Sequence, residues 1–106
     1  MPSRLLIALL LSACTAGSQS TGIENVTCPT DSTLTYANFG QAIIASSCLS
    51  CHTNRQRPRL DTQAAIQANT GSLIELAVYT DAMPKDGDLT TAQRMQLGEW
   101  LACGAP

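Results

Sequence analysis

The chain has 106 residues, a formal net charge of -2, 44% hydrophobic residues and 13% charged residues. That length makes one small domain, and the balance excludes a disordered acidic tail and a protein that holds nucleic acid through bulk charge. A domain so small, with only Tyr36, Phe39, Tyr79 and Trp100 as aromatic residues, buries little of its own surface and needs a covalent staple or a cofactor. Its cysteines, at 14, 28, 48, 51 and 103, are where either would attach.

At the N-terminus Arg4 precedes an unbroken apolar run from Leu5 to Leu11. The run is far short of the roughly 20 residues that span a bilayer, and a basic start followed by such a stretch reads as an export signal. Leu11-Ser12-Ala13-Cys14 resembles the lipobox of bacterial lipoproteins. The resemblance implies a signal peptide over 1–13, cleavage before Cys14 and attachment of lipid to Cys14, where two or three acyl chains anchor a protein stably. It also implies a periplasm-facing membrane location, with Thr15 after the cysteine favouring the outer membrane. An ordinary signal peptide with a chance cysteine is the alternative. Residues 14–27 are small and polar and read as a flexible tether, leaving 28–106 as the domain. Asn25-Val26-Thr27 matches a glycosylation sequon and is read as chance.

The predicted elements are all helical. Phe39, Ala42, Ile43 and Ile44 give an apolar stripe for a first helix from Leu34 or Thr35 to Ser47. Asp61 is the expected N-cap of a short helix over Thr62–Ala68, which Gly71 follows as a terminator. Ser72-Leu73-Ile74-Glu75 has the capping-box pattern and predicts a helix over Leu73–Tyr79. The segment Asp81–Asp88, with Pro84 and Gly87, is a loop. Thr90-Thr91-Ala92-Gln93 is a second capping box, opening a final helix to Ala102 that offers Met95, Leu97, Trp100 and Leu101 for burial, with Gly104 and Pro106 as terminators. No strand pattern competes, so the expected fold class is all-α, with three to five short helices.

Cys48-Leu49-Ser50-Cys51-His52 carries the chemistry. This C-x-x-C-H spacing puts two thiols one turn apart, each able to form a thioether with one haem vinyl group, and directs the next residue, His52, at the iron. A thioredoxin-like pair would need a βαβ context, and a zinc site would need further ligands, yet His52 is the only histidine. On this motif the chain resembles a small mono-haem class I c-type cytochrome. The resemblance implies a cytochrome c-like fold around one covalently bound haem c, held by Cys48 and Cys51 with His52 as an axial iron ligand.

Met83-Pro84, in the loop ahead of the last helix, resembles the family's other axial-ligand segment, so Met83 is the expected sixth ligand. A methionine plugging a gap in the core is the alternative reading. By the same analogy His52 donates its outer ring N–H to a backbone carbonyl, with Pro58 as the candidate. Leu60, Ile66, Leu73, Ile74, Leu76 and Leu89 are pocket walls or ordinary core. Arg55, Arg57 and Arg59 are a solvated loop, a counter-charge for the propionates or a docking patch. The family's first and last helices cross over a small residue, which implies Gly40 against Trp100. That crossing would bring Cys28 and Cys103 together, and a disulfide between them is expected on this ground.

The implied function is electron transfer with Fe(II)/Fe(III) cycling, not enzyme catalysis. The partners are redox donors and acceptors, and the membrane through the lipid; no nucleic acid and no small-molecule substrate are expected. The alternative is a haem-based ligand sensor or peroxidase-like catalyst, if Met83 leaves the sixth position open.

Overall fold

The computed structural model describes residues 18–49, 51–53, 56–84 and 89–106. The expected signal peptide 1–13, the lipid site Cys14 and Arg55 lie outside the described residues. Among the described residues four helical elements follow one another. Helix α1 opens as a π-helical turn over Tyr36–Gly40 and continues as α-helix over Gln41–Ser47. Helix α2 covers Gln63–Gln67, and α3 runs from α-helix over Thr70–Leu73 into π-helix over Ile74–Tyr79. Helix α4 covers Thr91–Ala102. Among the described residues no strand forms, and the architecture is all-α.

The two longest elements start with the same device. Thr35 Oγ1 accepts from Asn38 N (3.1 Å) while Asn38 Oδ1 accepts from Thr35 N (2.7 Å). Thr90 and Gln93 repeat this reciprocal box at 3.1 and 2.8 Å, as the sequence predicts for α4. Each box satisfies two backbone donors that a helix start leaves without partners. Beyond its box, α4 buries Arg94, Leu97, Gly98, Trp100 and Leu101. Met95, expected in the core, is 57% exposed. It lies one residue on from Arg94, and a single helical step rotates it off the stripe that residues three and four apart share.

Helices α1 and α4 meet at Gly40 and Trp100. A Cβ on Gly40 would stand 2.2 Å from the Trp100 ring, so only glycine admits the indole this close. Trp100 is fully buried, with Tyr36 stacked at 6.5 Å between centroids and Phe39 edge-on at 6.1 Å. The chain after α4 then folds back. Gly104 takes a left-handed conformation (φ 88°), which costs glycine nothing. Ala105 is buried, and its carbonyl accepts from the Nε2 atoms of Gln63 and Gln67, both at 3.1 Å. The Pro106 carbonyl accepts from Tyr36 N at 2.6 Å and from Trp100 Nε1 at 3.3 Å. The Cys28–Cys103 disulfide links the segment before α1 to the end of α4.

Three expectations shift. Helix α2 is capped by Thr62, whose Oγ1 accepts from Ala65 N at 3.1 Å. Asp61 instead pairs with Arg59 at 2.8 Å, an exposed ion pair of small energetic weight. Helix α3 starts at Thr70, so Gly71 and Ser72 lie inside it and the Ser72 box does not open it. The chain turns at Asn69, whose Nδ2 donates to Ala65 O at 2.7 Å and whose carbonyl accepts from Leu73 N at 3.0 Å.

The segment expected as tether is held from Gln19 onward. Thr21 donates to Val78 O through Oγ1 (2.5 Å) and to Tyr79 O through its N–H (3.0 Å). Gln19 N donates to Asp81 Oδ1 at 2.7 Å, and Asp81 N donates back to Gln19 O at 3.0 Å. Val26 packs beside Gly98, where a Cβ would approach its Cγ1 to 2.9 Å. The polar residues that suggested a solvated linker serve as donors to the carbonyls that the end of α3 leaves open.

Gly40→Ala should lower stability by about 2 kcal/mol, as overpacking in a core does; an unchanged urea midpoint would refute the tight crossing. Replacing both Cys28 and Cys103 by serine removes a cross-link with a sequence separation of 75. In the chain-entropy treatment the loss is about 4.5 kcal/mol, read as a lower thermal midpoint that reductant no longer affects.

Candidate functional site

Cys48 ends α1. Its N–H still donates to Ile44 O at 2.9 Å, but its backbone (φ -124°) leaves the helical path. The Cys48 carbonyl then accepts from Cys51 N at 3.4 Å and His52 N at 3.0 Å. This turn returns Cys51 and His52 to the side of Cys48, so one short winding carries both sulfurs and the imidazole. Gln56 N to Cys51 O at 2.9 Å and Thr53 Oγ1 to Leu49 O at 3.2 Å continue it.

His52 is held at two levels. Its carbonyl accepts from Leu60 N at 2.7 Å, and its ring Nδ1 lies 2.8 Å from the Pro58 carbonyl oxygen. A carbonyl has no proton to give, so Nδ1 is the donor. In the neutral ring this leaves the lone pair on Nε2, the arrangement of a metal-ligating histidine oriented by an outer hydrogen bond. The donor set of this turn suits a covalently attached haem: two thiols one turn apart and an imidazole whose tautomer is fixed beside them. Cys48, Cys51 and His52 are all half-buried. Burial pushes the Cys48 thiol up from 9.0 to about 11 by disfavouring the thiolate.

Met83 stands on a different segment, beyond α3. Its N–H donates to Leu76 O at 2.8 Å, and its carbonyl accepts from Arg94 Nη1 at 2.9 Å. Its half-buried side chain packs against the main hydrophobic cluster, as does that of Cys48. Of the expected walls, Leu60, Ile66 and Leu89 are buried and Leu73 and Ile74 lie against that cluster. Leu76 is exposed, which removes it from the ordinary core. Arg57 is exposed as well.

Sequence reasoning passed over Arg94. It is buried on α4 (6% exposed), and Nη1 reaches Ala77 O at 2.7 Å and Thr80 O at 3.4 Å besides Met83 O. The signal was present: Arg94 shares the three-and-seven spacing of Leu97 and Leu101, which places it on the apolar stripe. No protein family, curated protein or solved structure matches this chain.

The raised Cys48 value carries a chemical consequence. The thiolate is the nucleophile, and a rise from 9.0 to about 11 lowers its fraction at pH 8 about a hundredfold. While the Cys48 thiol is unmodified, iodoacetamide should therefore react with it about a hundredfold more slowly in the folded state than in urea, and the folded rate should climb until pH approaches 11. Peptide mass spectrometry reads both; equal rates in the two states would refute the buried thiol.

Proposed function

We propose that this protein is an electron-transfer haem protein of the c type, with His52 and Met83 as axial ligands and Cys48 and Cys51 as the covalent attachment points. The observation that carries the reading is the His52 Nδ1 contact to Pro58 O at 2.8 Å, inside a C-x-x-C-H turn. It leaves Nε2 as the ring's ligating atom and fixes the plane of the imidazole. Bound haem supplies one-electron chemistry at iron, at a potential set by its axial ligands and its surroundings.

Each residue has a distinct task. Cys48 and Cys51 anchor the group against the core at the end of α1. Pro58 holds the His52 ring through its carbonyl. Met83 supplies a soft thioether, and its main chain is fixed on both sides by Leu76 and Arg94. With His52 and Met83 both holding the iron, bound haem would be closed to substrate, and the domain would pass electrons to redox partners through small, transient contacts.

Lipid on Cys14 would confine this exchange to a membrane surface. Among the described residues the first that is hydrogen-bonded to the domain is Gln19, and the five residues from Cys14 to it would extend no more than about 17 Å. The domain therefore rides close to the headgroups, closer than a tether reaching residue 27 would place it. Among the described residues no helix is long and apolar enough to cross a membrane.

The test is expression of the full chain in a host with cytochrome c maturation. The exported protein should gain the mass of one haem, retain haem on a denaturing gel and carry lipid on Cys14. Cys48→Ala with Cys51→Ala should abolish attachment. In the oxidised protein, Met83→Ala should remove the near-infrared Fe(III)–thioether absorption and open the reduced iron to carbon monoxide. An exported chain without haem mass refutes the proposal; wild-type protein that already binds carbon monoxide rapidly favours the sensor or peroxidase-like reading.

A further inference from the structure

The end of α3 is closed by donors from several segments, one of them a buried cation. The last carbonyls of a helix have no partners within it. Here Leu76 O is taken by Met83 N, Val78 O by Thr21 Oγ1 and Tyr79 O by Thr21 N. Ala77 O is taken by Arg94 Nη1. The same nitrogen reaches Thr80 O in the turn and Met83 O in the loop. One guanidinium thus bridges the end of α3, the turn after it and the loop bearing the thioether. Its position beyond a helix C-terminus is also where the helix dipole favours positive charge.

We propose that Arg94 is a positioning residue for the Met83 thioether, and that it sets how firmly Met83 holds the sixth coordination position. This rests on the His52/Met83 reading above. The physical reason is that Met83 has a flexible, unbranched side chain. Its sulfur can be placed reproducibly only if the backbone that carries it is fixed. Leu76 fixes the N–H side of that backbone and Arg94 the carbonyl side. Without the cation, three carbonyls lose a charge-assisted donor and the loop detaches from α4 on that side. Salt screens such a buried contact little, so its effect should persist at high ionic strength.

The experiment compares wild type, Arg94→Met, Arg94→Gln and Arg94→Lys as exported, haem-loaded full chains, with Leu101→Ala as a control for general loosening of α4. The readouts are the near-infrared Fe(III)–thioether band and the affinity of the oxidised protein for imidazole, which competes with the thioether for iron. Arg94→Met and Arg94→Gln should weaken the band and raise imidazole affinity about tenfold or more. Arg94→Lys, which keeps the positive charge and offers three donors on its one nitrogen, should fall nearer wild type. Leu101→Ala should lower the thermal midpoint without matching the gain in affinity.

If Arg94→Met fails to fold, Arg94→Gln decides alone. Imidazole affinities within about twofold of wild type in the folded variants would overturn the positioning role while leaving the axial reading intact, and so would an equal gain in Leu101→Ala. Wild-type protein that carries haem but lacks the band would overturn both.

Discussion

The packing of the Trp100 indole against the bare backbone of Gly40 is the contact on which the rest of this structure depends. Removing one Cβ from α1 lets α4 approach until the ring lies on the helix itself. Everything at the two ends of the chain then follows from proximity. Tyr36 and Phe39 close around the indole. The Pro106 carbonyl joins the start of α1 to the indole N–H. Cys28 and Cys103 come within bonding reach and lock the arrangement. In so small a domain the crossing also fixes where α1 ends, and hence where Cys48, Cys51 and His52 are presented.

A second constraint organises the opposite side of the molecule. Besides the nearby Thr80 hydroxyl, the carbonyls that terminate α3 are satisfied by donors from three other parts of the chain: Thr21 before α1, Met83 in the loop and Arg94 on α4. No buried polar side-chain atom among the described residues lacks a partner. A helix end that would be a weak point in water becomes the junction where remote segments are tied. Together with Ile23 and Val26, which pack on the core, those contacts hold the otherwise mostly polar segment from Gln19 to Val26 against it. The same junction is why an arginine stands on the apolar stripe of α4. A cation there is tolerated because carbonyl oxygens replace its hydration.

Much of the local structure was legible because it rests on local chemistry. The Thr90 box acts within four residues and opens α4 as expected, and α1 begins at Tyr36, one or two residues after the expected Leu34 or Thr35, behind a Thr35 box that was not anticipated. In the C-x-x-C-H turn the Cys48 carbonyl accepts from both Cys51 N and His52 N. The pairing of Cys28 with Cys103 and the contact of Gly40 with Trp100 were anticipated through family resemblance, and the structure contains both. Two of the misjudged positions had two neighbouring candidates for one role. Asp61 and Thr62 could each cap α2, and the carboxylate was drawn off by Arg59. Met95 and Arg94 are adjacent on α4, and a preference for apolar residues in cores pointed to the wrong one of the two.

By itself, then, the amino-acid order determined the helical class, the capping of α1 and α4 and the winding that brings two thiols and an imidazole together, since each is settled by residues within one or two turns of one another. Tertiary structure alone decided that Thr21 and Arg94 would cap a helix far from them in the chain, that Leu76 would face outward, and that the Met83 backbone would be gripped from both sides. Those outcomes depend on which carbonyls remain unpaired once the helices have packed, and no local pattern records that.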